Sequence, residues 1–211
     1  MADFHTWKSK NAKLCGKVLI PAGYPKLDLA IAWAEATRHR ETSSPLTVIY
    51  APTHLYSVNE KLASLRAHGK QIVSALLDQG YGVISRPHPV SFGDGDMPPA
   101  SDIVNTYSSN TRFELDRSKE YRETYSRADI MVTDLSGTGF TFALSFCRPA
   151  IFYAPNAAEE TGLDGIQFSE REAIGGVARS IPELCSLVKQ FEFNSMADSI
   201  KEYRMRRIFN V

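Results

Sequence analysis

The fold of this chain is indicated by one stretch, ADIMVTDLSGTGFTFAL, which covers residues 128–144. It begins with a short run of strand-forming residues, Ile130–Thr133, and then turns through the small residues Ser136–Gly139. Beyond the turn, apolar residues such as Phe140 and Ala143 recur with the spacing of one helix face. The stretch therefore predicts a strand, a glycine-containing turn and a helix in direct succession.

A strand that passes through such a turn into a helix forms an anion site. The first backbone N–H groups of the helix lack partners, and the helix dipole places partial positive charge there. Ser136 and Thr138 add hydroxyl donors, and Gly137 and Gly139 allow close approach of the backbone. We predict that this turn binds a phosphate or diphosphate. The alternative is a capped turn that serves packing alone, since the turn matches neither a Walker loop nor a dinucleotide fingerprint.

Asp134 lies immediately before this turn. A carboxylate beside a phosphate is repelled by it, so a direct role in phosphate binding is excluded. Two roles remain open for Asp134. It accepts backbone N–H groups and so shapes the turn, or it acts on a substrate hydroxyl as a catalytic acid or base.

The composition is that of an ordinary globular protein. The 211 residues are 43% hydrophobic and 23% charged, and Lys plus Arg equals Asp plus Glu at 24 each. No overall field therefore favours nucleic acid as a partner. No apolar run approaches the ~20 residues of a membrane-spanning helix. The three cysteines are scattered, and no cluster of His, Cys and Asp has the spacing of a metal site, so we predict no metal and a cytoplasmic setting.

Strands alternate with helices along the chain. Including the opening stretch, six strands are predicted, at Lys17–Ala22, Leu46–Ala51, Gly82–Ser85, Thr111–Leu115, Ile130–Thr133 and Pro149–Ala154. Predicted helices cover Lys26–Arg40 and the apolar period from Val58 to Leu77, follow caps at Ser118 and Ser180, and end the chain at Ser195–Phe209. Residues 91–101 and 155–179 are predicted to be loops, and residues 1–16 a lead-in or linker.

This alternation predicts an α/β fold, a Rossmann-like three-layer domain over residues 17–211. Its six-stranded sheet is mostly parallel, with helices on both faces. Ligands of such folds bind beyond the carboxyl ends of the strands. Five segments fall there and are rich in polar residues, glycine and proline: Gly23–Pro25, Pro52–His54, Arg86–Pro89, Asp134–Gly139 and Pro155–Asn156.

The segment Arg86-Pro87-His88-Pro89 holds the second candidate group. Its two prolines fix the chain around His88, which can donate to a diphosphate and stabilise the charge that grows on a leaving group. Arg86 can offer a bidentate fork to the same phosphates. Pro52 and Thr53 are candidate donor-binding residues at the next strand end. The alternatives are a structural histidine, a solvated arginine and a strand that merely ends at proline.

Five motifs together resemble the CDP-glycerol glycerophosphotransferase family, the bacterial teichoic-acid and capsule polymerases, in its C-terminal half. They are GYPKLD at residues 23–28, VIYAPT at 48–53, RPHP at 86–89, ADIMVTDLS at 128–136 and RPAIFY at 148–153. The resemblance runs from about Lys17 to the end and implies the two-domain B-type glycosyltransferase plan.

The resemblance implies that this half binds a nucleotide-activated donor as substrate, CDP-linked and without a further cofactor. By it, His88, Ser136 and Thr138 face the pyrophosphate, and Asp134 matches an acid important for activity. The enzymes transfer a polyol-phosphate or sugar to a hydroxyl of a growing polymer acceptor. A nucleotide-sugar epimerase, another B-type glycosyltransferase and a non-catalytic nucleotide-binding module remain alternatives.

Three departures from the family qualify what the resemblance implies. The family's N-terminal acceptor-binding domain has no counterpart here, and the chain stops where relatives continue into a closing helix. We therefore expect a domain excised from a larger enzyme, inactive alone, with the full-length protein cytoplasmic or peripheral at the inner face of the plasma membrane. Thr141 stands where the family often has an acid, which leaves the donor's identity open.

Overall fold

The computed structural model describes residues 24–37, 45–54, 61–92, 99–163 and 165–209. The predicted lead-in at residues 1–16 and the predicted strand Lys17–Ala22 lie outside these residues. So do residues 38–40, the last part of the first predicted helix, and residues 58–60 of the second.

Six parallel strands form one sheet in the order β3-β2-β1-β4-β5-β6. Their bounds are Thr47–Tyr50 (β1), Gly82–Ser85 (β2), Phe113–Leu115 (β3), Ile130–Thr133 (β4), Ala150–Tyr153 (β5) and Gly175–Ala178 (β6). The central strand β1 pairs Val48 with Val83 on one side and with Ile130 on the other. The predicted fold class is confirmed.

Helices cover both faces of this sheet. They are Pro25–Ala36 (α1), Ser64–Asp78 (α2), Pro99–Tyr107 (α3), Arg122–Arg127 (α4), Thr138–Phe146 (α5), Ile166–Ser169 (α6), Ile181–Phe193 (α7) and Ala197–Arg204 (α8). A π-helical turn at Met205–Phe209 continues α8. Among the described helices, none is long and apolar enough to span a bilayer.

Successive side chains of a strand point to opposite faces of the sheet. Because helices cover both faces, the strand residues pack alternately into two cores. Ile49, Met131 and Phe152 pack with α1, α4, α5 and α8 on one face. Val48, Val132 and Ile151 pack with α2, α3 and α7 on the other. Both cores are fully buried, so the sheet holds its strand ends in fixed positions.

Two elements differ from the sequence predictions. The segment predicted as a loop up to residue 179 contains β6, whose Gly175 lies against β5 so closely that a Cβ would meet the Ala150 carbonyl oxygen at 1.8 Å. Of the loop predicted at residues 91–101, residues 93–98 lie outside the described residues, and residues 99–101 form the first turn of α3. This helix begins at Pro99, where the missing N–H of proline costs the helix nothing. Pro99 thus begins a helix and Gly175 allows close contact between two strands, although the sequence predicts both to lie in loops.

One predicted cap is confirmed and one is wrong. Ser180 accepts the N–H of Glu183 through its side chain and caps α7 as predicted. Ser118 does not cap α4, which begins at Arg122. Its hydroxyl instead donates to the Glu120 carbonyl oxygen and accepts from Arg86.

Candidate functional site

Three strand ends converge on a cavity of about 960 Å³ at the carboxyl edge of the sheet. The segment after β1 contributes Pro52 and Thr53, the segment after β2 contributes Arg86 and His88, and the turn before α5 contributes Ser136 with Thr138 at the helix start. Parallel strands end at one edge, so residues far apart in the chain meet there. The structure thus brings most of the predicted site residues into one cavity.

Asp134 lies behind the cavity wall and not in it. Its side chain is 1% exposed, and its two oxygens accept four hydrogen bonds. Oδ1 accepts the N–H of Thr53 at 2.9 Å and that of Leu135 at 2.7 Å. Oδ2 accepts the N–H and the hydroxyl of Ser64, both at 2.8 Å. The carboxylate therefore ties the ends of β1 and β4 to the start of α2.

A tyrosine on β1 extends this buried cluster. The Tyr50 hydroxyl is 2.8 Å from the Ser64 hydroxyl, and Tyr50 is fully buried. Burial and the nearby Asp134 carboxylate raise the pKa of Tyr50 well above its usual value, so it stays protonated. Because each polar atom here has a partner, the cluster is a rigid support for the strand ends.

His88 is exposed toward the cavity, and its ring lies beside that of His54. The ring centroids are 4.6 Å apart and the planes are tilted by 48°. The Nδ1 atom of His88 accepts the N–H of Val90 at 3.3 Å. Partial burial and the neighbouring His54 lower the pKa of His88. At neutral pH the ring is therefore mostly uncharged and can donate a hydrogen bond through Nε2.

Arg86 is held by the segment that follows β3. One terminal nitrogen donates to the carboxylate of Asp116 and to the Ser118 hydroxyl, and the other donates to the Ser118 carbonyl oxygen at 2.9 Å. The two terminal nitrogens of the Arg86 guanidinium, predicted to bind a phosphate, thus donate to Asp116 and Ser118 instead. Arg86 lines the cavity and contributes positive charge to it, but the hydrogen bonds of its guanidinium hold the segment 116–118 in place.

The glycines of the turn have different environments. A Cβ on Gly139 would lie 2.7 Å from the Phe152 ring, whereas one on Gly137 would meet nothing within 4 Å. Neither glycine is among the described residues that line the cavity. The absence of a side chain at Gly139 is therefore required by packing, in place of the predicted close approach to a phosphate.

The hydroxyls of the turn do face the cavity. Ser136 Oγ accepts the N–H of Thr138 at 3.2 Å, and both residues line the cavity together with Thr141. Gly137 is the N-cap of the nine-residue helix α5, and no side chain caps this helix, so the cap by Ser136 considered as the alternative is not formed. The Ser136 and Thr138 hydroxyls lie at the positive end of α5.

Further cations line the cavity that the sequence analysis does not name as site residues. Lys26, Arg117 and Lys119 join Arg86 there, and among the described residues of the lining Asp116 is the one carboxylate. Among the described residues these three have no ion-pair partner, and Arg117 lies 3.9 Å from the centre of the Phe92 ring. Residues 116–119 follow directly after β3. Because ligands of such folds bind beyond the carboxyl ends of the strands, the prediction of this strand also indicates these residues as candidates for the site. The cavity is strongly positive in a chain of zero net charge.

Two tyrosines at the start of α4 and within it form part of the cavity wall. Tyr121 is half-buried, with Lys26 Nζ 5.7 Å from its ring centre. Tyr125 is buried, and burial raises its pKa to about 12. Both phenols therefore stay protonated at neutral pH and present hydrogen-bond donors rather than charge.

Two glutamates that follow β5 form ion pairs away from the described cavity lining. Glu160 forms ion pairs with Arg171 at 2.6 Å and Arg179 at 2.7 Å, and Glu159 pairs with Lys61. Arg171 is 2% exposed, with its guanidinium over the Phe152 and Phe168 rings. Neither glutamate is among the described cavity residues, and this network holds the segment after β5 onto the sheet.

A family model built for CDP-glycerol:poly(glycerophosphate) glycerophosphotransferases matches residues 7–210. The chain belongs to this family. A curated relative is the teichoic acid poly(glycerol phosphate) polymerase of Bacillus subtilis (strain 168), 26% identical over 191 residues. The match covers 82% of this chain and 24% of the polymerase. The predicted family is confirmed.

Solved structures share the fold. The wall teichoic acid polymerase TagF matches with a TM-score of 0.56 and 21% identity over 86% of this chain and 45% of that one. The UDP-GlcNAc 2-epimerase of Methanocaldococcus jannaschii matches with a TM-score of 0.56 and 12% identity, over 96% and 57% of the two chains. This chain thus spans about a quarter of the curated polymerase and under half of the TagF chain.

Proposed function

We propose that this chain is the donor-binding domain of a glycerophosphotransferase that uses a CDP-glycerol-type donor. The observation that carries the proposal is the positive cavity at the carboxyl edge, where the described lining holds four cations and one carboxylate. A nucleoside diphosphate ester carries two negative charges on its phosphates, and fixed cations in a cleft attract such a ligand. Membership in the family supports the choice of donor.

In this proposal the diphosphate lies between the start of α5 and the end of β2. Ser136 and Thr138 donate from the helix end, where the dipole favours negative charge. His88 donates from the opposite side through Nε2, since its Nδ1 is occupied by the N–H of Val90. The charge that develops on the leaving nucleotide is then stabilised by donors already in place.

Of the two roles open for Asp134, we propose the shaping one. Its four hydrogen bonds and its burial leave no oxygen directed at the cavity. Loss of this residue would therefore affect transfer through displacement of Thr53 and the turn after β4. It is a positioning residue in this account, and the diphosphate contacts belong to its neighbours.

The proposed transfer reaction also requires a domain that binds the polymer acceptor. In the proposal, an acceptor-binding domain holds the growing polymer, and its terminal hydroxyl attacks the phosphorus next to glycerol. The nucleotide is a substrate and leaves as CMP. The full enzyme then works at the cytoplasmic face of the membrane, where its acceptor is anchored.

Isothermal titration calorimetry with CDP-glycerol, CDP, UDP and GDP tests the proposal. We expect CDP-glycerol and CDP to bind and the other two bases to bind more weakly. If none of the four nucleotides binds, the cavity is not a donor site and the proposal is wrong.

A further inference from the structure

We propose that His54 is a second catalytic residue, which acts with His88 as a pair of imidazoles on the oxygen that bridges the two phosphorus atoms of the donor. This inference rests on the proposed function. Both rings line the cavity, and their centroids are 4.6 Å apart. A ligand atom that reaches His88 Nε2 is therefore within reach of both side chains.

The position of His54 is fixed by its chain neighbours. The N–H of Thr53 donates to Asp134 at 2.9 Å, and the N–H of Ala51 donates to the Val132 carbonyl oxygen at 2.9 Å. The Thr133 hydroxyl donates to the Ala51 carbonyl oxygen at 2.7 Å. Three hydrogen bonds thus attach the segment before His54 to the end of β4, the strand that leads into the phosphate-facing turn.

The position of His88 is fixed from the neighbouring strand. It follows Pro87, and Arg86 just before it is anchored by Asp116 and Ser118. The two imidazoles therefore lie at the ends of adjacent strands, β1 and β2, which pair residue by residue from Thr47–Gly82 to Tyr50–Ser85. The pairing of these strands holds the backbone segments that carry the two rings next to each other.

Two imidazolium ions at this separation repel each other, and partial burial together with the neighbouring His54 lowers the pKa of His88. The described lining of the cavity also contains the cations Lys26, Arg86, Arg117 and Lys119 and the carboxylate Asp116, whereas Tyr121 and Tyr125 are neutral. A bound diphosphate adds two negative charges next to the rings. Its binding should therefore draw one proton onto the pair.

In the transfer step, that proton is given to the leaving oxygen. The acceptor hydroxyl oxygen forms a bond to the phosphorus that bears glycerol, and the bond from this phosphorus to the bridging oxygen breaks. The electron pair remains on that oxygen, which leaves as part of CMP and receives the proton from the His54–His88 pair. A general base on the acceptor side, or water, takes the proton of the attacking hydroxyl.

Calorimetric titration of CDP in two buffers of different ionisation enthalpy measures the protons taken up on binding. We expect uptake by the wild-type protein near neutral pH, and loss of at least about half of it in His54→Gln, with CDP affinity about tenfold lower and cytidine affinity unchanged. His68→Gln is the matched control, because His68 lies on α2 against Tyr153 and outside the described cavity lining. It should retain the wild-type uptake.

A purely structural role for His54 would not change proton uptake in a variant that folds. Histidine NMR gives a second measurement without nucleotide: removal of the neighbouring ring should move the titration midpoint of His88 upward. Wild-type uptake and affinity in His54→Gln, with an unmoved His88 midpoint, would overturn the inference and leave the proposed function standing. Failure of the wild-type protein to bind CDP would overturn both.

Discussion

The carboxylate of Asp134 accepts the backbone N–H of Thr53 at 2.9 Å, which joins the end of β4 to the end of β1. The same carboxylate holds the start of α2 through Ser64. The cavity is built on these two strand ends. Its shape therefore depends on one buried acid that no ligand needs to touch.

Asp134→Asn should destabilise the fold. An amide nitrogen would replace one oxygen and face two donors, so two buried hydrogen bonds would be lost and two donors left unpaired. We expect a loss of about 2–4 kcal/mol in the free energy of unfolding, measured by urea denaturation. Asp198→Asn is the control, since this side chain is 98% exposed and should change stability by less than about 0.5 kcal/mol. Equal stability of the two variants would contradict the buried role.

The two glycines of the turn should respond differently to alanine. In Gly139→Ala the new methyl group would overlap the fully buried Phe152 ring, which cannot move without repacking the core. We expect a loss of about 1–3 kcal/mol. Gly137→Ala meets open space at a φ of −59°, so stability should be equal or higher by up to about 1 kcal/mol. Thermal denaturation compares the two, and a greater loss at Gly137 would contradict the packing assignment.

Arg86→Gln should cost more than the loss of a surface charge. The Arg86–Asp116 pair is mostly buried, with side chains 15% and 7% exposed, so the variant leaves a carboxylate without its counter-ion. We expect destabilisation of about 3 kcal/mol. Lys70→Gln breaks an exposed pair with Asp102 and should cost no more than about 1 kcal/mol. Chemical denaturation that shows similar losses would mean that Arg86 is not a structural anchor.

Stability should fall at acid pH through Asp116. Burial raises its pKa, but hydrogen bonds from Thr124 and Ser118 and the Arg86 guanidinium outweigh that effect and hold it below the usual value. A lowered carboxyl pKa stabilises the fold above the unfolded value near 3.8, and this contribution disappears as pH falls through the lower folded value.

Urea denaturation between about pH 3 and pH 6 measures this dependence. Asp116→Asn should be less stable at the upper end of that range and should lose less stability toward its lower end. Parallel pH profiles for the variant and the wild-type protein would show that Asp116 has no such linkage.

Much of this architecture follows from patterns visible in the sequence. β2 and β4 have their predicted bounds, because β-branched residues ended by polar or small ones define a buried parallel strand. β6 cannot be predicted from the sequence because Gly175 and Gly176 are typical of turns, whereas close contact with Ala150 excludes a side chain at Gly175. Propensity cannot detect a glycine that is required by a neighbouring strand.

The site residues likewise divide into those that the sequence indicates and those that only tertiary contacts determine. Strand ends identified Pro52, Thr53, His88 and Ser136, since each follows a predicted strand. Asp116, the ion-pair partner of Arg86, lies 30 residues away in the chain, and Thr53 and Ser64, which donate to Asp134, lie 81 and 70 residues away, so tertiary contacts alone decide these pairs. The ring contact between His54 and His88 likewise depends on the pairing of β1 with β2.

The most direct test of the central claim compares CDP with cytidine by calorimetry, in the wild-type protein and in His88→Asn. If the cavity is a diphosphate site, the wild-type protein binds CDP at least about tenfold more tightly than cytidine, and His88→Asn removes most of that difference while cytidine affinity stays the same. Equal affinity of the wild-type protein for CDP and cytidine, or equal losses for both in His88→Asn, would contradict it.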